Sequence, residues 1–191
     1  MAGHQEIERK FLVINDEYKA LATACIPIRQ GYLSLNERCS VRVRRWGDTG
    51  YITVKSHVVI NRFSRYEWEK EIPAQEADEL LALCLPGKIE KKRYLVPLTD
   101  GLTCEVDEFS GLNEGLVMAE IELQSEEQPY DKPAFLGREV TGDRRFFNSY
   151  LISHPYATWA AVRNQPVLDA ISARGTIGEE KNHGKMRRYR K

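Results

Sequence analysis

Glu6-Ile7-Glu8-Arg9-Lys10-Phe11 decides how the rest of the chain is read. In a β-strand, side chains alternate between faces. Glu6, Glu8 and Lys10 then share one face, and Ile7, Arg9 and Phe11 share the other. Two carboxylates and an ammonium on one face could hold a divalent cation and a phosphate together. One such strand is equally the solvated face of an ordinary half-buried sheet. Its weight comes from recurrence.

The same alternation returns down the chain. Arg42 and Arg44 interleave with Val41 and Val43; Lys55 follows Thr53-Val54. Arg65, Glu67 and Glu69 share a face, as do Lys91 and Arg93, Glu105 and Asp107, and Glu120 and Glu122. The reading predicts strands over 29–35, 38–46, 51–55, 62–72, 89–96, 102–109 and 116–124. Gly47-Asp48-Thr49-Gly50 and Asp100-Gly101 are turn signals. A short helix is expected over 16–25, capped by Asn15 or Asp16 and stopped by Pro27. An amphipathic helix is expected over 74–85, closed by Pro86-Gly87. Past Pro129 the pattern turns helical, with a helix starting near Thr141. Short turns between strands favour antiparallel pairing.

A sheet with one dry and one charged face has two solutions. The charged face is the exterior, or the sheet closes into a barrel with charges inward and helices outside. An unpaired charge in a dry interior costs several kcal/mol, against a domain stability of about 5–15 kcal/mol. A charged lumen must therefore be hydrated and paired acid to base. Eight or so strands leave room for side chains and one small ligand. Arginine suits bidentate phosphate contacts, and Arg42 and Arg44 lie about 7 Å apart along their strand. Carboxylates in i, i+2 pairs suit oxygen-loving Mg²⁺ or Mn²⁺.

Composition bounds the alternatives. The chain has 191 residues with 28 basic and 28 acidic side chains, net charge +0. There is no global basic field for nucleic acid, so any anion site is built locally. Cys25, Cys39, Cys84 and Cys104 lack Cys-x-x-Cys spacing and read as buried, reduced thiols. No apolar run reaches membrane-span length, and no signal core is visible at the N-terminus. The expected location is cytoplasmic.

The ordered set of motifs resembles the CYTH superfamily, the triphosphate tunnel metalloenzymes. It comprises Glu6-x-Glu8-x-Lys10, Gln30-Gly31-Tyr32-Leu33, Arg42-x-Arg44, Thr53-Val54-Lys55, Arg65-x-Glu67-x-Glu69, Lys91-x-Arg93-Tyr94, Glu105-x-Asp107 and Glu120-x-Glu122. It spans roughly residues 4–152, and its short bacterial tripolyphosphatases are most similar. The resemblance implies an α+β fold, a closed antiparallel β-barrel of about eight strands forming a charged tunnel. Residues 1–152 would be the tunnel domain and 153–191 a helical extension with a basic tail.

The resemblance also implies Mg²⁺- or Mn²⁺-dependent hydrolysis of tripolyphosphate, or of another small-molecule triphosphate or polyphosphate. An adenylate cyclase, a thiamine triphosphatase and a non-catalytic polyphosphate or nucleotide binder are the alternatives. Nucleic-acid and membrane partners are not expected. By position, Glu6, Glu8, Glu120 and Glu122 would bind metal. Lys10, Arg42, Arg44, Lys55, Arg65, Lys91 and Arg93 would bind phosphate. Glu67, Glu69, Glu105 and Asp107 would support them or a second metal, and Tyr32 with Lys91 would form a catalytic dyad. Trp46, Tyr51 and Trp68 are candidates for an aromatic platform, but exterior packing explains them more simply.

Overall fold

The computed structural model describes residues 7–61, 64–125 and 127–159, without the side chains of 57–61, 64–66 and 100. Glu6 and the side chain of Arg65 therefore lie outside the described residues, as do residues 160–191 with the expected basic tail. Among the described residues there are nine strands, the first eight on the alternating segments: β1 Ile7–Val13, β2 Ala24–Leu35, β3 Cys39–Trp46, β4 Thr49–Asn61, β5 Ser64–Pro73, β6 Ile89–Pro97, β7 Thr103–Phe109, β8 Val117–Leu123 and β9 Leu136–Glu139. Three short helices join them: α1 Tyr18–Leu21, α2 Ala74–Ala82 and α3 Asn148–Leu151. All described ladders are antiparallel.

The strands form one sheet in the order β5-β4-β3-β2-β6-β7-β8-β1-β9. Among the described residues no ladder joins β5 to β9, so the expected barrel of about eight strands is corrected to a nine-stranded sheet with two edges. β9 has four residues and pairs only with Phe11 and Val13 of β1, too short a partner for the ten residues of β5. The β5 edge is exposed and charged at Glu67, Glu69, Lys70 and Glu71, which discourages further pairing.

The sheet is nonetheless strongly curled about its charged face. Lys10 of β1 and Tyr32 of β2 are separated by β8, β7 and β6, about 19 Å in a flat sheet. Yet Lys10 acts electrostatically on the Tyr32 hydroxyl. Glu105 of β7 likewise acts on Arg44 of β3.

The convex face is the dry one. Val43 of β3 packs with Ala77 and Leu81 of α2. Two glycines let that helix approach closely. A Cβ on Gly31 would stand 2.9 Å from Cys84, and one on Gly50 2.5 Å from the Ala77 Cβ. A second cluster joins Phe11, Val106, Ala119 and Ile121 of the strands to Tyr18 of α1 and to Phe135.

A third cluster lies on the concave face. Leu12, Ile89, Phe109 and Met118 share strand faces with the charged residues and pack against Phe146, Leu151, Tyr156 and Trp159. The C-terminal part of the described chain thus fills one end of the concavity with apolar side chains. The expected boundary at residue 152 falls inside this cluster.

Three elements depart from expectation. The helix over 16–25 shrinks to one turn, because Ala24, Cys25 and Ile26 pair with Leu95, Tyr94 and Arg93 of β6. Pro27 lies inside β2. Its carbonyl accepts from Gly47 N at 3.0 Å, so its donorless nitrogen faces the end of β3, where the chain has already turned and no acceptor is left unmatched. Residues 136–139, read as helical, form β9. Of the four cysteines, all free, Cys104 is buried, Cys39 and Cys84 are half-buried and Cys25 is exposed. The expectation of four buried thiols is corrected accordingly.

Candidate active site

The concave face divides into two walls. On the first, Tyr32 stands opposite Arg42, Arg42 opposite Thr53, Thr53 opposite Glu69, and Lys55 opposite Glu67. Thr53 donates to Glu69 Oε2 at 2.6 Å. The Arg42 and Arg44 guanidiniums approach the same carboxylate at 3.4–3.5 Å, and Lys55 pairs with Glu67 at 3.1 Å. Among the described residues the Nε donors of Arg42 and Arg44 and the Nε2 of Gln30 are buried without a hydrogen-bond partner. Glu69 thus holds two guanidiniums at long range. Burial and the charge of Arg42 hold the Arg44 pKa below its ordinary value. An anion would relieve that repulsion.

The second wall is tightly paired. Arg93 donates to both carboxylate oxygens of Asp107 at 2.7 and 2.6 Å, to Glu105, and to Glu120 at 3.3 Å. Lys91 donates to Asp107; both side chains are 2% exposed. Lys10 bridges Glu120 at 2.9 Å and Glu8 at 3.2 Å. Burial would raise the Glu120 pKa, but Lys10, Arg93 and Lys91 outweigh it and hold it down at about 2. Burial raises the Glu105 carboxyl against the pull of Arg93. Burial lowers the Lys91 pKa and outweighs the pull of Asp107.

A cavity of about 360 Å³ opens beside this wall, and Glu8, Glu105, Glu120 and Glu122 line it. Glu8 faces Glu122 and Glu105 faces Glu120 across their ladders. This all-oxygen donor set fits a hard divalent cation. Among the described residues no three such groups converge as a formed metal site; Lys10 and Arg93 stand among the carboxylates instead.

The charged face gathers every expected site residue whose side chain is described. The expected dyad is less direct. Lys91 lies opposite Ile28, four residues from Tyr32 along β2, and its ammonium is engaged by Asp107. The cations acting on Tyr32 are Arg42, Lys55 and Lys10, and burial outweighs them, so the phenol pKa is raised. In this arrangement burial keeps the Tyr32 phenol protonated.

Two of the three aromatics considered for a platform stand on the charged face. Trp46 shares the face of Arg42 and Arg44, and Tyr51 stands opposite Arg44. The expectation of exterior packing is corrected for both; Trp68, opposite Val54 on the other face, is 42% exposed. Strand parity with Arg44 was the available signal for Trp46.

Residues 4–147 match the CYTH domain family model. The chain belongs to the CYTH family. Within it, the chain is 51% identical over 153 residues to an inorganic triphosphatase of Acetivibrio thermocellus, covering 80% of this chain and 96% of that protein. It is 36% identical over 149 residues to an inorganic triphosphatase of Nitrosomonas europaea, covering 76% and 95%. A crystal structure of an inorganic triphosphatase superposes with a TM-score of 0.58 at 33% identity, covering 78% of this chain and 95% of that one. Among the described residues, no helix of this CYTH domain is long and apolar enough to cross a membrane.

Proposed function

We propose that this CYTH domain hydrolyses inorganic tripolyphosphate to pyrophosphate and phosphate within its curled, charged face. One observation carries the reading. The two walls place Arg42, Arg44, Lys55, Lys10 and Arg93 on the same concave face as the carboxylate cavity, in a chain half identical to an inorganic triphosphatase. Phosphoryl transfer calls for positioning and charge neutralisation above all.

In this reading Arg42, Arg44, Lys55 and Arg65 grip the phosphate chain from the β3–β5 side, and Lys10, Lys91 and Arg93 from the other. Glu8, Glu120 and Glu122, with Glu6 of the same motif, would hold Mg²⁺ or Mn²⁺, which would supply positive charge to the phosphate oxygens. Glu67, Glu69, Glu105 and Asp107 orient the basic groups; the Asp107 fork on Arg93 is the clearest example. Tyr32 and Lys91 act at separate points of the concave face: the phenol orients the attacking water, and the buried Lys91 ammonium, held by Asp107 opposite Ile28, adds positive charge to the β6 wall.

The test is phosphate release from tripolyphosphate, ATP and thiamine triphosphate with Mg²⁺, Mn²⁺ or EDTA, alongside a cyclic AMP assay. Tripolyphosphate is expected to be preferred, with activity abolished by EDTA and reduced at least 100-fold in Glu120→Gln. Cyclic AMP production, or full metal-dependent turnover by Glu120→Gln, would overturn the assignment.

A further inference from the structure

Trp46 meets two guanidiniums that come from different walls. Arg44, two residues earlier on β3, is centred 5.0 Å from its ring, and Arg93 of β6 is centred 5.5 Å away. Tyr51 of β4 adds a second ring 5.3 Å from Arg44. The two arginines are held unequally. Arg93 is locked by Asp107, Glu105 and Glu120. Arg44 has long contacts to Glu69, and among the described residues its buried Nε has no hydrogen-bond partner. The positive charge of Arg93 repels it.

The loosely held Arg44 would swing away from the locked Arg93 unless something near both attracts it. An aromatic face does so, because its negative quadrupole draws a cation without neutralising it. A carboxylate in the same place would also hold the arginines, but it would repel an anionic substrate and satisfy donors the substrate needs. Indole supplies attraction and leaves both guanidiniums fully charged.

We infer that Trp46 is a positioning residue that sets substrate affinity. It holds Arg44 toward Arg93, so that guanidiniums of the β3 and β6 walls face one oligophosphate chain together. This rests on the triphosphatase reading. It assigns Trp46 no contact with the reacting atoms, so its loss acts on binding and leaves the chemical step intact.

The experiment compares wild type, Trp46→Phe and Trp46→Leu in tripolyphosphate hydrolysis, with thermal unfolding of each. Trp46→Leu is expected to raise KM about five- to thirtyfold with kcat within about twofold. Trp46→Phe, which keeps an aromatic face, is expected to restore KM to within about threefold of wild type. An unchanged KM in Trp46→Leu, or Trp46→Phe as impaired as Trp46→Leu, would overturn the inference. A wild type inert toward tripolyphosphate would instead overturn the triphosphatase reading.

A second measurement does not depend on the leucine variant folding. Wild-type protein labelled with 5-fluorotryptophan is titrated with tripolyphosphate in EDTA, the Trp46 resonance being assigned by its absence in Trp46→Phe. That resonance is expected to shift as substrate draws on Arg44 and Arg93. A stationary Trp46 resonance under saturating tripolyphosphate overturns the inference.

Discussion

Glu120 joins both sides of the second wall, accepting from Lys10 at 2.9 Å and from Arg93 at 3.3 Å. Its pKa of about 2 lies below the ordinary 4.5. A carboxyl depressed on folding stabilises the native state above its unfolded pKa, and that contribution is lost as pH falls through the native value. Wild type is therefore expected to exceed Glu120→Gln in stability by on the order of 3 kcal/mol near pH 7. The gap should narrow between about pH 4.5 and 2, as read by urea unfolding across pH. A gap that stays constant down to pH 2 would show that another interaction supplies it. Spacing along the chain put Glu120 on a charged face with Glu122. It did not show that Lys10 and Arg93 reach it, because Lys10 reaches it across the β1–β8 ladder and Arg93 from beyond β7.

At the scale of elements, α2 is seated by absence of side chain. Gly50 of β4 meets Ala77 so closely that an added Cβ would stand 2.5 Å from the Ala77 Cβ and 3.1 Å from the Ile72 carbonyl. Gly50→Ala is expected to destabilise by about 1–3 kcal/mol through overpacking, measured by denaturant midpoint at constant slope. Combined with Ala77→Gly, the cost should be smaller than the two single costs added together, since the second change removes the clash. Strict additivity would mean that α2 simply shifts. The periodicity of Ala74 to Ala82 announced this helix. The partner of Gly50 was not legible, because helix and strand meet only after the β4–β5 hairpin closes. The short β9 was missed for a related reason: four residues carry too little pattern, and pairing with β1 holds them extended.

For the whole molecule, curling of the sheet brings a loosely paired basic wall near a tightly paired acidic and basic one. A ligand that spans both walls binds only the folded, curled state. Tripolyphosphate is therefore expected to raise Tm in a concentration-dependent way, by about 2.7 kcal/mol of stability at a hundred times Kd. Scanning calorimetry in EDTA keeps hydrolysis out of the measurement. Arg42→Ala with Arg44→Ala should remove most of that rise; a double variant as strongly stabilised as wild type would place the phosphate site elsewhere.

The alternation of charge and apolar side chains by itself determined most strands, their antiparallel pairing and which residues share the charged face, because a strand's period of two is local. The ordered motifs carried the family. Tertiary structure decided what depends on sheet curvature: that Lys10 acts on Tyr32 across three strands, that Trp46 meets guanidiniums from two walls, and that apolar residues from 146–159 fill one end of the concavity. It also decided that, among the described residues, the sheet keeps two edges. Curvature and closure arise from twist accumulated over nine strands and from the lengths available at the ends, and no single segment of the chain encodes either.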